Sequence, residues 1–240
     1  MNRLTLCLIS LTGLLSGAVQ ATPTTVPPSS LQGHWLATYE TVVDWDLPVV
    51  GKTQQRVQVK ALWSITQTEL HFEAKESICH VGLTSGNRLV KLTLNGPNPP
   101  GLSGSIYTGK WVQGREGWSM KTSPMTRFHG LKKPWPKDFP ENISPEQLED
   151  VDADKKPGLS LFLRGVVISN LQAVQKDVIS FEAIPGDSGG FSGTVNWKWE
   201  RRLIHSSNPH VTEMPMETWD PKLASRPFRL EKRESLECPE

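Results

Sequence analysis

The chain has 240 residues, with 26 bases against 25 acids and a formal net charge of +1. A balance this even argues against nucleic acid or an anionic membrane as the main partner, since either favours a basic surface. The length is long for one domain but within the range of a single barrel or sandwich, and it suffices for a sizeable core without covalent staples.

Residues 1–21 read as a secretory signal peptide. Arg3 is its basic start, residues 4–15 are its apolar segment, and Val19-Gln20-Ala21 puts small residues at the −3 and −1 positions of a cleavage site. The apolar segment is shorter than the roughly 20 residues that span a bilayer. No second long apolar run follows, so the expected mature chain is exported, periplasmic or secreted, without a membrane span. Loss of Arg3 takes the 26 bases to 25, equal to the 25 acids. Of the three cysteines, Cys7 falls in the signal; Cys79 and Cys238 remain. An exporting route and an even count predict that these two form a disulfide, the alternative being two free thiols.

Residues 22–30 are rich in Pro, Ser and Thr and predict a flexible lead. The remainder, residues 31–240, reads as one β-rich domain with a Pro- and charge-rich excursion at residues 131–157. Trp35, Ala37 and Tyr39 alternate with Leu36, Thr38 and Glu40, as a half-wet strand requires. Residues 44–52 hold Pro48 and Gly51 and read as a connection. Val57, Val59, Ala61, Trp63 and Ile65 then share one face of a long strand. Gln67-Thr68 is expected to turn the chain into a segment in which Leu70, Phe72 and Ala74 alternate with charged residues. Further short strands are expected at residues 78–83, 88–94, 105–113, 118–120, 159–168, 178–184, 194–199 and 228–230, with Gly- and Pro-rich turns at residues 95–104 and 185–190. Within the excursion, Ser144-Pro145-Glu146 has the N-cap, N1 proline and first-turn carboxylate of a short helix. The fold class expected is all-β: an antiparallel barrel in preference to a sandwich.

Three constellations suggest chemistry. Asp150, Asp152 and Asp154 at i, i+2, i+4 match the opening of a calcium loop, where alternating carboxylates converge on one hard cation. Lys155 stands where that loop has Gly and Leu161 where it has a bidentate Glu, so a calcium site and a solvated acidic turn both remain open. Gly186-Asp187-Ser188-Gly189-Gly190 offers a serine in a Gly-rich turn, either a plain hairpin turn or a nucleophile. The nine tryptophans either fill a large core or line a ligand pocket. Trp197 and Trp199 share a strand face; Trp135, between two prolines, is the expected exposed aromatic. The six histidines show no zinc spacing.

The Gly186 to Gly190 pentapeptide is identical to the nucleophile segment of trypsin-like serine proteases, a resemblance that implies a hydrolase using Ser188. That family's His segment is absent, and no Asp lies between Asp46 and Asp138. Gly33-His34-Trp35 resembles the Gly-x-Trp opening of lipocalins and related calycin barrels. The stretch from Asp150 to Gly158, with the strand Gly193-Thr194-Val195-Asn196-Trp197, resembles a group of uncharacterised bacterial secreted proteins and implies no activity. Taken together, the expectation is a non-enzymatic binding or envelope-associated barrel in which Trp35, Tyr39, Trp63 and Phe72 line an interior for a small apolar ligand. The alternatives are a serine hydrolase and a calcium-stabilised structural domain.

Overall fold

A computed structural model describes residues 30–47, 50–94, 104–115, 117–187, 189–211, 216–217 and 226–239. Residues 1–21, read as a signal peptide, and most of the expected lead lie outside these. The chain is all-β, as its alternation requires. Its strands are β1 (Gly33–Leu47), β2 (Gly51–Thr68), β3 (His71–Ser85), β4 (Val90–Leu94), β5 (Ile106–Gly114) and β6 (Gly117–Thr122). They continue as β7 (Met125–His129), β8 (Leu159–Gly165), β9 (Ser169–Pro185), β10 (Phe191–Ser206), β11 (Met216–Glu217) and β12 (Pro227–Arg233). Every pairing between these strands is antiparallel. Hydrogen bonds run around the ring β10-β12-β1-β2-β3-β5-β6-β9, and a β9–β10 ladder closes it. No helix among the described residues is long and apolar enough to cross a membrane.

The ring forms because one set of side chains is apolar along each long strand. Trp35 pairs with Trp63, Ala37 with Ala61 and Tyr39 with Val59, all facing inward and buried. Val195, Trp197 and Trp199 of β10 face Phe181, Ile179 and Asp177 of β9. Their neighbours in sequence, Asn196 and Lys198, point out. This is the period-2 pattern of a sheet with one dry face.

Several strands are longer than the sequence reading. Most of the connection expected at residues 44–52 is strand, up to Leu47 and again from Gly51: Asp44 and Trp45 pair with Gln54 and Thr53, and the Trp45 side chain is buried. The turn expected at Gln67-Thr68 falls two residues later. Those two residues pair with Phe72 and His71, and Glu69 takes the positive φ of 54° that the turn needs. The segments read around residues 70–75 and 78–83 are one strand, β3. A bulge at Cys79 shifts its register between Lys60 and Ala61 of β2, so that Ile78, Val81 and Leu83 all face inward while Cys79 turns out.

Cys79 packs there with Leu36 and Leu62 on the outer wall and is bonded to Cys238, with the two Cα atoms 5.4 Å apart. The C-terminal tail is thereby fastened across the β1–β2–β3 face. Residues 131–148 cover a second outer patch, where Phe128, Leu131, Phe139, Leu148 and Val174 form a cluster separate from the interior. Trp135 is half-buried against it, not exposed, and donates its indole N–H to the Leu131 carbonyl at 3.0 Å. The helix expected at Ser144 is a single 3₁₀ turn, Pro145–Gln147, in which the Gln147 side chain accepts the Ser144 N–H at 2.8 Å. Gly158 ends the excursion with φ 93°; a Cβ there would meet the Ala173 carbonyl oxygen at 2.8 Å, so only glycine fits.

The bridge closes a loop of 159 residues. Reduction, or Cys238→Ser, is expected to lower stability by up to about 5 kcal/mol on the chain-entropy scale. Urea unfolding with and without reductant measures this, and equal midpoints would show that the tail is held without the bond.

Candidate functional site

Inside the barrel, polar side chains occupy positions that the alternation reserves for the core. Glu76 of β3 has the parity of Phe72 and Ala74; Gln175 and Asp177 of β9 have that of Ala173, Ile179 and Phe181. Arg201 of β10 continues the row Val195, Trp197, Trp199. Arg127 and His129 enter from β7, a five-residue strand that pairs with β9 between β6 and β8. All six are buried.

They form one network. The Arg127 guanidinium donates to Glu76 Oε2 at 3.1 Å, to Asp177 Oδ2 at 3.0 Å and to Ser105 Oγ at 2.9 Å. The other Glu76 oxygen accepts from Tyr39 Oη at 2.7 Å and Trp63 Nε1 at 3.3 Å, and Oε2 also takes Tyr107 Oη at 3.1 Å. His129 Nε2 lies 2.9 Å from Asp177 Oδ2, and Gln175 Nε2 donates to Asp177 Oδ1 at 2.7 Å. Each carboxylate thus has a cation and several donors, the condition under which a buried charge is tolerated.

The protonation states follow. Burial raises the Asp177 pKa, but His129, Arg127 and Gln175 outweigh burial and hold it well below the usual carboxylate range. Burial lowers the His129 pKa below 6.5 despite Asp177, so its imidazole is neutral at pH 7. Burial also depresses Arg127, but the surrounding Tyr107, Asp177 and Glu76 more than restore it. Tyr39 and Tyr107 are pushed well above 10, by burial first and then by Glu76, so both hydroxyls remain donors.

Two spaces flank the network. On its inner side is a cavity of about 40 Å³, lined by Arg201, His129 and Asp177 together with apolar side chains that include Val57, Leu83, Leu94 and Trp199. On its outer side is a cleft of about 450 Å³ between Ser105, Thr126, Trp135 and Glu149. Arg127 and His129 border both, so they form the partition.

The residues expected to line a ligand pocket sit elsewhere. Trp35, Tyr39, Trp63 and Phe72 are all buried in the interior, but none borders either space. Trp63 stacks on Tyr107 at 5.1 Å and meets Phe181 edge-on at 4.9 Å; Tyr39 meets Phe181 at 5.1 Å and Trp35 meets Phe191 at 5.3 Å. Ring-on-ring contact fills that part of the barrel.

The three aspartates do converge: one carboxylate oxygen from each of Asp150, Asp152 and Asp154 lies within 4.8 Å of the others. Asp150 accepts the N–H groups of Asp152, Asp154 and Lys155, while Ser160 donates its N–H to Asp152 and its hydroxyl to Asp154. Lys155, standing where a calcium loop has glycine, takes φ 69°. Burial, opposed by the Ser160 N–H, raises Asp152 to about 6.

Ser188 lies outside the described residues. Its neighbours form the β9–β10 turn, where the Gly186 N–H donates to the Gly190 carbonyl at 2.8 Å. His129, the one buried histidine among the described residues, pairs with Gln175, about 33 Å back along β9 at roughly 3.3 Å per residue.

No family model, curated protein or solved structure matches this chain.

The network was not foreseen, although parity carried the signal: a charged residue on the apolar face of a strand is either an error of register or a buried ion. Asp177→Asn leaves Arg127 short of one anion and is expected to cost about 3–5 kcal/mol at pH 7. The wild type should lose stability as pH falls below about 6.5, where unfolded His129 takes a proton, and again below about 4, where unfolded Asp177 does. In D177N the lower limb should flatten. Urea unfolding from pH 7 to 3 measures all three, and an unchanged acid limb in D177N would contradict the assignment.

Proposed function

We propose that the chain is an exported, non-enzymatic binding protein that admits part of a small ligand to the barrel cavity beneath the Glu76–Arg127–Asp177 network. One observation carries this reading. Buried charged side chains, Arg127, Asp177 and Arg201, border a space whose remaining lining is largely apolar. Buried ion pairs are weak stability devices, often matched by apolar residues of the same volume. A cavity with a few convergent polar groups in an apolar lining is the ordinary form of a small-molecule site. Ile78, Val81, Leu83 and Leu94 of its wall are half-exposed, and they lie where β3 contacts β4 without a hydrogen-bonded ladder among the described residues. That seam is the entrance.

Native mass spectrometry of the purified protein should reveal a retained small molecule, or saturable uptake from a panel of amphiphiles. A protein that emerges empty and takes up nothing would end this reading. A serine-reactive phosphonate separates it from the hydrolase built on Ser188: no adduct is expected.

Calcium-dependent stabilisation is a second reading, favoured by one atom. Asp152 Oδ1 is buried and has no hydrogen-bond partner, within a cluster of three carboxylates. Because burial and its acidic neighbours raise Asp152 to about 6, ionising it costs stability as pH rises toward 6, and a cation would offset that cost. Millimolar calcium should therefore raise the melting temperature more at pH 7.5 than at pH 5. No shift at either pH would remove the site.

A further inference from the structure

We propose that Arg201 is the receptor for a carboxylate, and that the ligand of the barrel cavity is a short aliphatic acid whose tail leaves along the β3–β4 seam. This rests on the reading that the cavity binds a ligand, and it names the ligand's chemistry.

The two arginines of the network differ in a way that the fold does not require. Arg127 is satisfied by two carboxylates. Arg201, equally enclosed on β10, has no carboxylate within ion-pair distance among the described residues. Its Nε and Nη2 both donate to a neutral acceptor, Gln175 Oε1, and its Cζ lies 4.7 Å from the centroid of the Trp199 ring. Nη1 is buried and donates to nothing. Burial lowers the Arg201 pKa only to about 10, so the group is a cation at neutral pH. A buried cation with no anion in direct contact is poorly compensated, and Asp177 reaches Arg201 only through Gln175. Arg201 is on the cavity wall, so an anion that contacts it directly has a place to sit.

The size of that place selects the anion. At roughly 10–15 Å³ for each water-sized occupant, about 40 Å³ admits a small head group and not a bulky one. A guanidinium edge is also the natural partner of a carboxylate. The rest of the ligand meets apolar side chains: Val57 at the cavity wall, then half-exposed Val81, Leu83 and Leu94 toward solvent. An acid that is all head, such as acetate, fills the receptor but leaves those side chains uncovered.

Isothermal titration of the oxidised full chain with octanoate, acetate and 1-octanol tests this. Octanoate should bind saturably, acetate more weakly, and octanol more weakly than octanoate. Arg201→Met should weaken octanoate at least about tenfold, the loss of a charged hydrogen bond, and leave octanol unchanged. Leu83→Trp, which closes the entrance and leaves the receptor intact, should weaken octanoate and octanol but not acetate. The ¹³C carboxyl signal of bound octanoate should titrate at lower pH than that of the free acid, because a cation faces it. That signal decides the matter even if R201M fails to fold. A bound carboxyl that titrates at or above the free value overturns the proposal, as does folded R201M binding octanoate like the wild type. Binding of octanol without octanoate would overturn the carboxylate and leave the cavity reading standing. Binding of neither would bring down both.

Discussion

One guanidinium ties together β3 and β9, two strands of this barrel that share no hydrogen-bonded ladder. Arg127 reaches from β7 to Glu76 on β3 and to Asp177 on β9, at 3.1 and 3.0 Å, and both carboxylates are cut off from water. Arg127 is the only guanidinium within ion-pair distance of either carboxylate among the described residues, and removing it would leave both buried without that partner. The aromatic interior is arranged around the same contact: Tyr39, Trp63 and Tyr107 use their polar ends on Glu76 and their rings on Phe181. Polar contact and ring packing therefore fix each other, because none of these side chains can turn without leaving Glu76 short of a donor.

The backbone makes room for this through β9. Along one edge it pairs with β10 over its full length; along the other it pairs in succession with β8, β7 and β6. A wall assembled from three short strands has breaks that a continuous strand would lack. Arg127 and His129 occupy one of them, between an outer cleft and an inner cavity. The excursion at residues 131–148 stabilises that piecemeal wall from outside by packing Leu131, Phe139 and Leu148 over Phe128 and Val174. Charges inside and an apolar cover outside invert the usual arrangement of a strand, and they do so at the place where the cavity needs polar groups.

The fold was legible where apolar alternation is unbroken and obscure where the interior is polar. β2 and β12 declare themselves through Val57 to Ile65 and through Phe228 and Leu230. β3 was divided because Glu76 reads as a solvent-facing residue, and Leu70, a half-turned residue of the hairpin, reads as a core one. β7 escaped notice because two of its five residues, Arg127 and His129, are charged or titratable yet point inward. β9 and β10 were shortened at Asp177 and Arg201 for the same reason. The site was thus hidden by the feature that makes it a site. The aromatic residues chosen as ligand contacts were correctly placed indoors by their periodicity, but periodicity does not distinguish a filled interior from a hollow one. The pairing of Cys79 with Cys238 followed from the even count and the expected export, while the bulge that turns Cys79 outward has no sequence signature.

The claim that Arg127 and Glu76 act as one unit is tested most directly by a double-mutant cycle of Glu76→Gln and Arg127→Met in urea unfolding at pH 7. The account predicts a coupling energy of about 1–3 kcal/mol, with the double variant less damaged than the sum of the singles. Additivity within about 0.5 kcal/mol would contradict it.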